Sequence, residues 1–104
     1  MEKAIEKAME KTIVEYVRDE NRNPRACLVG KWTGSSVRVG VSICHAGVDK
    51  FDKSLGRKIA EGRCDSGRSS GSTSFVLHSV GREIDTFADR CRKYFQTNQV
   101  EVVV

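Results

Sequence analysis

The segment that constrains the fold most is VRVGVSIC, at residues 37–44. Every second side chain in it is Val or Ile, and the others are one arginine and three small residues. A repeat of two is typical of a β-strand, because successive side chains point to opposite faces. We expect the apolar face to meet a core. We expect the other face to be exposed, with room for a ligand or for a partner's backbone.

Shorter apolar segments at 26–29, 75–80 and 100–104 predict further strands, and the last of these is either a strand or an extended tail. Residues 30–36 contain two glycines and predict the hairpin connection between the first two strands. The Gly/Ser-rich segment 66–74 predicts a connecting loop, either a plain connector or a lid that orders over a ligand. It lacks the G-x4-G-K-[ST] spacing of a P-loop.

Apolar residues at three- and four-residue steps predict three helices. The first covers residues 1–20 and ends before Pro24, because proline disfavours helical geometry in the residue that precedes it. The third runs from about Arg82 to Gln96. The apolar stripe of the first helix requires burial on the sheet or on another subunit, and it contains Ile5, Met9, Ile13 and Val17.

The second helix is predicted over residues 52–63, with Asp49 or Asp52 as its cap and Gly62 at its end. Gly56 lies inside it, where glycine costs about 1 kcal/mol relative to alanine. Such a glycine is either simply tolerated or marks the close approach of a backbone or ligand. The expected buried side of this helix consists of Phe51, Leu55, Ile59 and Ala60.

These elements predict one α+β domain over residues 1–104, a small antiparallel sheet packed by helices, with N-terminal and C-terminal helices flanking it. A chain of 104 residues is too short for the large catalytic domains of dehydrogenases or kinases. No apolar run approaches the roughly 18 residues of a membrane span. The first twenty residues lack the apolar core of a secretory signal, so we expect a reducing compartment and no membrane partner.

The four cysteines show no C-x2-C spacing, which favours buried, inert thiols over a zinc site. Cys44 and His45, together with His78, are the alternative metal ligands. No nucleophile motif surrounds either histidine, and helix capping explains Asp49 and Asp52 better than paired catalytic carboxylates. We therefore expect neither a metal nor a cofactor. No motif argues for catalysis, and a small phosphodiesterase or hydrolase stays open as an alternative at this point.

The positive charge is concentrated in the middle of the chain, whose net charge is +4. Residues 22–38 hold four basic residues and no acidic one, and residues 50–68 hold six basic residues against three acidic ones. Arginine offers a planar fork of donors that matches phosphate, so either an anionic ligand or an ordinary solvated surface explains this bias. Polymeric nucleic acid is the less favoured partner. Proteins that bind it usually carry a denser stripe of basic residues or a recognisable nucleic-acid-binding motif.

Side chains suited to a small nucleotide are arginines and lysines for phosphate and aromatic rings for a base. Arg57 and Lys53 are four residues apart and share one face of the second predicted helix. Phe75 and Trp32 offer rings, although a core position explains Phe75 better. The full set of candidate ligand-binding residues is Arg25, Lys53, Arg57, Arg63, Phe75, Arg90 and Arg92.

Two segments of the sequence are similar to the pattern of a known protein family. Residues 39–63 contain a G-x-S-x-C strand, a D-x-F-x-K turn and G-x-x-I-A-x-G-R, and residues 87–95 read FADRCRKYF. This pattern resembles the first-described Thoeris anti-defence family, phage proteins that act as sponges for immune signalling nucleotides. The resemblance covers about residues 38–63 and 84–96, and the N-terminal segment lies outside it.

The resemblance implies a phage or prophage anti-defence protein that acts in the host bacterial cytoplasm. It implies a non-enzymatic binder of glycocyclic ADP-ribose, with cyclic di- and trinucleotides of the related CBASS defence as further ligands. It also implies a homo-oligomer, from a dimer up to a hexamer, with pockets between subunits. Arg57 and Arg63 belong to its central motif, and Arg90 and Arg92 to its C-terminal one. An inhibitor that contacts a host protein and a nucleic-acid module remain as alternatives.

Overall fold

The protein forms a four-stranded sheet with a helix on each face, in a computed structural model that describes residues 11–18, 20, 22, 24–43, 53–68 and 73–104. The strands are β1 (Thr12–Arg18), β2 (Pro24–Trp32), β3 (Val37–Ile43) and β4 (Val100–Val103). The helices are α1 (Lys53–Ser66) and α2 (Thr73–Phe95). The order in the sheet is β1-β2-β3-β4. The fold is a small α+β fold, as the sequence predicts.

The strand pairing is mixed. β1 and β3 run antiparallel to β2, and β4 joins β3 in parallel. β2 and β3 form the predicted hairpin, whose turn is closed by a hydrogen bond from Thr33 N–H to the Ser36 carbonyl. Gly34 in this turn has a φ of +102°, a value that side chains rarely adopt. The sheet is therefore mostly antiparallel, with β4 as its one parallel strand among the described residues. Both helices lie in the crossover connection that a parallel pair requires.

Large apolar side chains fill the space between α2 and the sheet. Phe87 and Ile84 of α2 are almost fully buried against Leu28 of β2 and Val39 and Val41 of β3. Each such side chain contributes about 1.5–3 kcal/mol when it leaves water. This layer is therefore the main hydrophobic core, and it confirms the prediction that the valine face of β3 meets a core.

Small residues fill the space between α1 and the opposite face of the sheet. Ser42 Oγ donates a hydrogen bond to the Gly56 carbonyl at 2.7 Å. Further along, a Cβ atom on Gly40 would overlap the Ala60 carbonyl oxygen and lie 2.9 Å from Cys64 Sγ. Four helical residues rise about 6 Å and two strand residues about 6.8 Å. The positions 56, 60 and 64 of α1 therefore match positions 42, 40 and 38 of β3.

This contact corrects two expectations about the surface. The small-residue face of β3 is covered, since Ser42 is only 4% exposed and Gly40 is buried. The room that the small side chains leave is occupied by the backbone of α1. Of the two interpretations of Gly56, the structure thus favours the close approach of a backbone. The buried side of α1 differs from the prediction, because Leu55 and Ile59 are 56% and 41% exposed. Of the expected residues that the structure describes, only Ala60 is buried.

The helix expected over residues 1–20 is wrong for residues 12–18, which form β1. Residues 1–10 lie outside the described part of the chain. Thr12, Ile13, Val14 and Val17 are β-branched, and such side chains pack well on a pleated surface. Ile13 and Val17 are also compatible with a helical step of four, so the spacing alone did not decide between the two structures.

Two other boundaries differ from the predictions. The strand expected over residues 75–80 is wrong, because α2 begins at Thr73 and continues through a kink at Val80, whose φ and ψ are −134° and 21°. Val76 and Val80 extend the apolar stripe of the helix predicted over 82–96, which is confirmed. Gly62 does not end α1, which continues to Ser66. Neither described helix has the length and apolar character to cross a membrane.

Candidate ligand-binding surface

The outer face of α1 combines positive charge with exposed apolar side chains. Residues 53–68 contain five basic and two acidic side chains, whereas residues 73–95 contain four basic and three acidic ones. Leu55 and Ile59 project from α1, because the small residues at 56, 60 and 64 face the sheet. A depression of about 300 Å³ lies on this face and is lined by Ser54, Leu55, Arg57, Lys58 and Glu61. We call this surface the α1 outer face.

Arg57 lies at the centre of the α1 outer face. Its side chain is 51% exposed, and its Nε donates to Glu61 Oε1 at 3.2 Å. An exposed pair at this spacing contributes only a few tenths of a kcal/mol, so a phosphate can compete with it. The charge of Arg57 also acts to lower the pKa of Tyr16 and of Cys27, against the larger effect of burial.

Arg63 has a structural contact. Its guanidinium is partly buried and donates a hydrogen bond to the Val41 carbonyl of β3. Burial lowers the pKa of Arg63 below its usual value. A side chain that bridges α1 to the sheet in this way is poorly placed to meet a ligand at the α1 outer face. The structure does not bring Arg57 and Arg63 together, because they lie on different sides of the helix.

Two basic side chains from residues 22–38 contact residues at the C-terminal end of α1. Lys31 Nζ lies 2.8 Å from the Asp65 carboxylate. Arg38 donates to the Glu101 carboxylate of β4 at 2.9 Å and to the Cys64 carbonyl at 3.0 Å. Unpaired carbonyls at a helix end are stabilised by such donors. These side chains account structurally for part of the charge that suggested an anionic ligand.

The predicted arginines of α2 lie on the opposite side of the sheet. Arg90 Nη1 lies 3.2 Å from Glu15 of β1, and Arg92 Nη1 lies 2.5 Å from Asp89. Arg25 of β2 donates to the Ser79 carbonyl of α2 at 3.4 Å. The structure thus divides the five candidate residues with described side chains between the two faces of the sheet. Within one chain these five do not form a single site.

Several predicted features lie outside the described part of the chain. Lys53 and Phe75 lie at the start of α1 and of α2, but their side chains are not described. The caps Asp49 and Asp52, the buried Phe51 and the pair Cys44 and His45 belong to residues 44–52, which are also outside it. Residues 69–72 of the Gly/Ser-rich segment also lie outside the described part of the chain. His78 is exposed on α2.

The three described cysteines are buried, free thiols in the interior of the protein. Burial raises the pKa of Cys27 and of Cys64 to about 11 and that of Cys91 to about 12. Cys64 Sγ also donates to the Val29 carbonyl at 3.3 Å. A thiol that keeps its proton at neutral pH is a poor nucleophile and a poor metal ligand. The prediction of buried thiols is confirmed for these three residues.

We expect these thiols to resist alkylation in the native protein. At pH 8 Cys27, Cys64 and Cys91 should react at least tenfold more slowly with a thiol reagent than in denaturant, since the thiolate is the reactive form. Because their native pKa exceeds the unfolded value, the stability that they contribute is lost as the pH rises from about 9 to about 12. Counting fast-reacting thiols tests this. Four should react in denaturant and no more than one in the native state, and two or more in the native state would contradict it.

Within the described residues no group of three His, Cys, Asp or Glu side chains is placed to hold a metal ion. The α1 outer face offers positive charge, hydrogen-bond donors and apolar contact, and this combination suits the binding of a ligand.

Comparisons with protein-family models, with curated proteins and with solved structures find no match to this chain.

Sequence reasoning missed three contributors to this surface. The apolar pattern predicts a buried position for Leu55 and Ile59, and no motif distinguishes Lys58 from other surface lysines. A signal was available, because Gly56, Ala60 and Cys64 repeat at four-residue steps and place one row of small side chains along the helix. That row fits close contact with a strand and leaves the larger apolar residues outside.

Proposed function

We propose that this protein binds small cyclic nucleotides through the α1 outer face and sequesters them without cleaving them. The resemblance to the Thoeris anti-defence family suggests the ligands, glycocyclic ADP-ribose first and cyclic di- and trinucleotides second. It also suggests the setting, a phage or prophage protein that acts in the host bacterial cytoplasm. The observation that carries the proposal is the presence of Arg57 and Lys58 beside exposed Leu55 on one helix face.

The chemistry of a nucleotide matches this combination of side chains. A phosphodiester carries a full negative charge and accepts hydrogen bonds from arginine in a planar arrangement. A base presents a flat apolar surface that is stabilised against side chains such as Leu55 and Ile59. The surplus of three positive charges over residues 53–68 favours anions further.

Sequestration makes few chemical demands on the protein. It requires affinity and abundance, whereas catalysis requires groups that stabilise a transition state. The depression on the α1 outer face is open and lies at the lower limit of small-ligand sites, which are about 300–1,000 Å³. A single chain therefore covers one side of a ring-shaped ligand. Full enclosure would need a second subunit, so the proposal includes the homo-oligomer that the resemblance implies.

A second candidate function is favoured by one specific observation. Leu55 is 56% exposed and Ile59 is 41% exposed. Exposed apolar side chains on one helix face are typical of a protein contact, so inhibition of a host protein is the runner-up. A nucleic-acid module is the third alternative.

Titration calorimetry against a panel of ligands separates these functions. The panel contains glycocyclic ADP-ribose, a cyclic dinucleotide, a cyclic trinucleotide, and single- and double-stranded oligonucleotides. We expect binding of at least one cyclic compound, which mass spectrometry should find chemically intact after heat release. Altered product would indicate an enzyme. Binding of oligonucleotides alone, or of nothing in the panel, would overturn the proposal.

A further inference from the structure

An acidic side chain lies among the basic residues of the α1 outer face. Glu61 lines the depression together with Arg57 and Lys58. Its side chain is 30% exposed, compared with 51% for Arg57, and its Oε1 accepts a hydrogen bond from Arg57 Nε at 3.2 Å. The two residues are about one helical turn apart, so the helix holds them side by side. A phosphate that meets Arg57 therefore also meets the charge of Glu61.

The contact with Glu61 determines which donors of Arg57 are left for a ligand. It occupies Nε, whereas Nη1 and Nη2 have no acceptor among the described residues. These two nitrogens present N–H donors in one plane, and a phosphodiester has two non-bridging oxygens that match them. Glu61 thus leaves the Nη1–Nη2 end of the guanidinium for a phosphate.

The charges around the depression limit how much negative charge a ligand can bring. Arg57 and Lys58 against Glu61 leave one surplus positive charge in its lining. A phosphate at the Nη1–Nη2 end would lie roughly 7 Å from the Glu61 carboxylate, since one guanidinium and two charge-assisted hydrogen bonds separate them. This separation is shorter than the Debye length of about 8 Å at physiological ionic strength. Glu61 therefore repels the phosphate, and the repulsion doubles when the phosphate carries two charges.

We infer that Glu61 is a specificity-determining residue, which lets the α1 outer face bind singly charged phosphodiesters and disfavours doubly charged terminal phosphates. The inference rests on the proposed function, since it concerns the ligands of the same surface. A terminal phosphate carries about 1.5–2 negative charges at neutral pH. Its attraction to the surplus charge grows in proportion to its own charge, but the hydration that it loses on binding grows with the square of that charge. With the surplus reduced to one charge by Glu61, the second negative charge costs more than it gains.

The ligand class that results is a nucleotide whose phosphates are all internal. In a cyclic nucleotide every phosphate is part of the ring and carries a single charge. Hydrolysis of one phosphodiester adds a water molecule and opens the ring, which leaves a hydroxyl group at one end and a terminal phosphate at the other. The opened form keeps the same bases, so apolar contacts with Leu55 and Ile59 do not distinguish the two. The charge of Glu61 does, and the surface then retains the intact ring in preference to its hydrolysed product.

Titration calorimetry of the wild-type protein at neutral pH tests this selectivity. The probes are a cyclic dinucleotide, the linear dinucleotide with a terminal phosphate that its hydrolysis yields, and the same linear compound without that phosphate. The two linear compounds differ only in the terminal phosphate, so their comparison excludes the effect of ring closure. We expect the compound without it to bind about fivefold more tightly, which corresponds to about 1 kcal/mol. Equal or tighter binding of the terminal phosphate would overturn the inference.

Glu61→Gln removes the charge and keeps the size of the side chain and an acceptor for Arg57 Nε. The affinity for the linear compound with the terminal phosphate should rise about fivefold more than the affinity for the one without it. Asp85→Asn is the matched control, because it removes the same charge from an exposed position on α2. Its ratio of the two affinities should stay within about twofold of the wild type, since α2 lies across the sheet. An unchanged ratio in Glu61→Gln, or an equal change in both variants, would contradict the role of Glu61.

The same measurements separate this inference from the proposed function. Binding of the cyclic dinucleotide with equal affinities for the two linear compounds would support the proposed function and refute the role of Glu61. Failure of the cyclic dinucleotide and of glycocyclic ADP-ribose to bind would refute both. The comparison within the wild type needs no variant, so the inference stays testable if Glu61→Gln fails to fold.

Discussion

Gly40→Ala should destabilise the protein by about 3 kcal/mol, near the upper end of the range for overpacked interiors. The added methyl group would overlap the Ala60 carbonyl oxygen, which is backbone and has no rotamer to change. α1 would have to move away from β3, and the hydrogen bond from Ser42 to the Gly56 carbonyl would be lost with it. For a domain of this size the melting temperature should fall by roughly 12–24 °C.

The control variant adds a methyl group to a glycine on the exposed side of α1. Nothing lies within 4 Å of a Cβ atom on Gly62. Gly62→Ala should therefore increase stability by about 1 kcal/mol, the difference in helix propensity. Urea unfolding of both variants measures the contrast. Equal midpoints for Gly40→Ala and the wild type would show that α1 is not seated on β3 as described.

Arg57→Ala should weaken the binding of a cyclic nucleotide roughly ten- to a hundredfold, because a charge-assisted phosphate contact contributes about 1.5–3 kcal/mol. The melting temperature should stay within a degree or two, since the exposed pair with Glu61 contributes little to stability. Arg57→Lys should recover part of the affinity, because lysine keeps the charge but lacks the planar fork. Titration calorimetry and thermal unfolding on the same samples provide both values.

Arg82→Ala is the matched control for charge alone. Arg82 is an exposed arginine on α2, across the sheet from the α1 outer face. Its removal lowers the net charge by the same amount and should leave the affinity within about twofold of the wild type. An equal loss in both variants would attribute binding to overall charge. Unchanged affinity in Arg57→Ala would remove this residue from the site.

The strands of the hairpin could be predicted from the sequence because each pattern there has one interpretation. The alternation in VRVGVSIC matches a strand and no helical step. β1 was missed since Ile13 and Val17 satisfy both a strand repeat and a helical step, and only pairing with β2 decides between them. The segment 75–80 was misassigned for a related reason, because a short apolar run fits a buried helix as well as a strand.

The candidate site was predictable only in part. The basic character of α1 is local and can be counted along the sequence, so the sequence alone predicts Arg57 as a candidate. Which side of α1 meets the sheet depends on the shape of its partner. Gly40 and Ser42 accept a helix backbone and exclude large side chains, so Leu55 and Ile59 remain outside. The structural contacts of Arg63 and Arg38 reach across the chain to Val41 and Glu101, and no local pattern indicates such contacts.

Chemical-shift mapping tests the central claim most directly, the claim that the α1 outer face is the ligand-binding surface. Amide spectra of labelled protein would be recorded during titration with glycocyclic ADP-ribose and with a cyclic dinucleotide. We predict that the largest shifts fall on residues 54–58 of α1, which line most of the depression. Shifts confined to the exposed side of α2, or no shifts with either compound, would contradict this account.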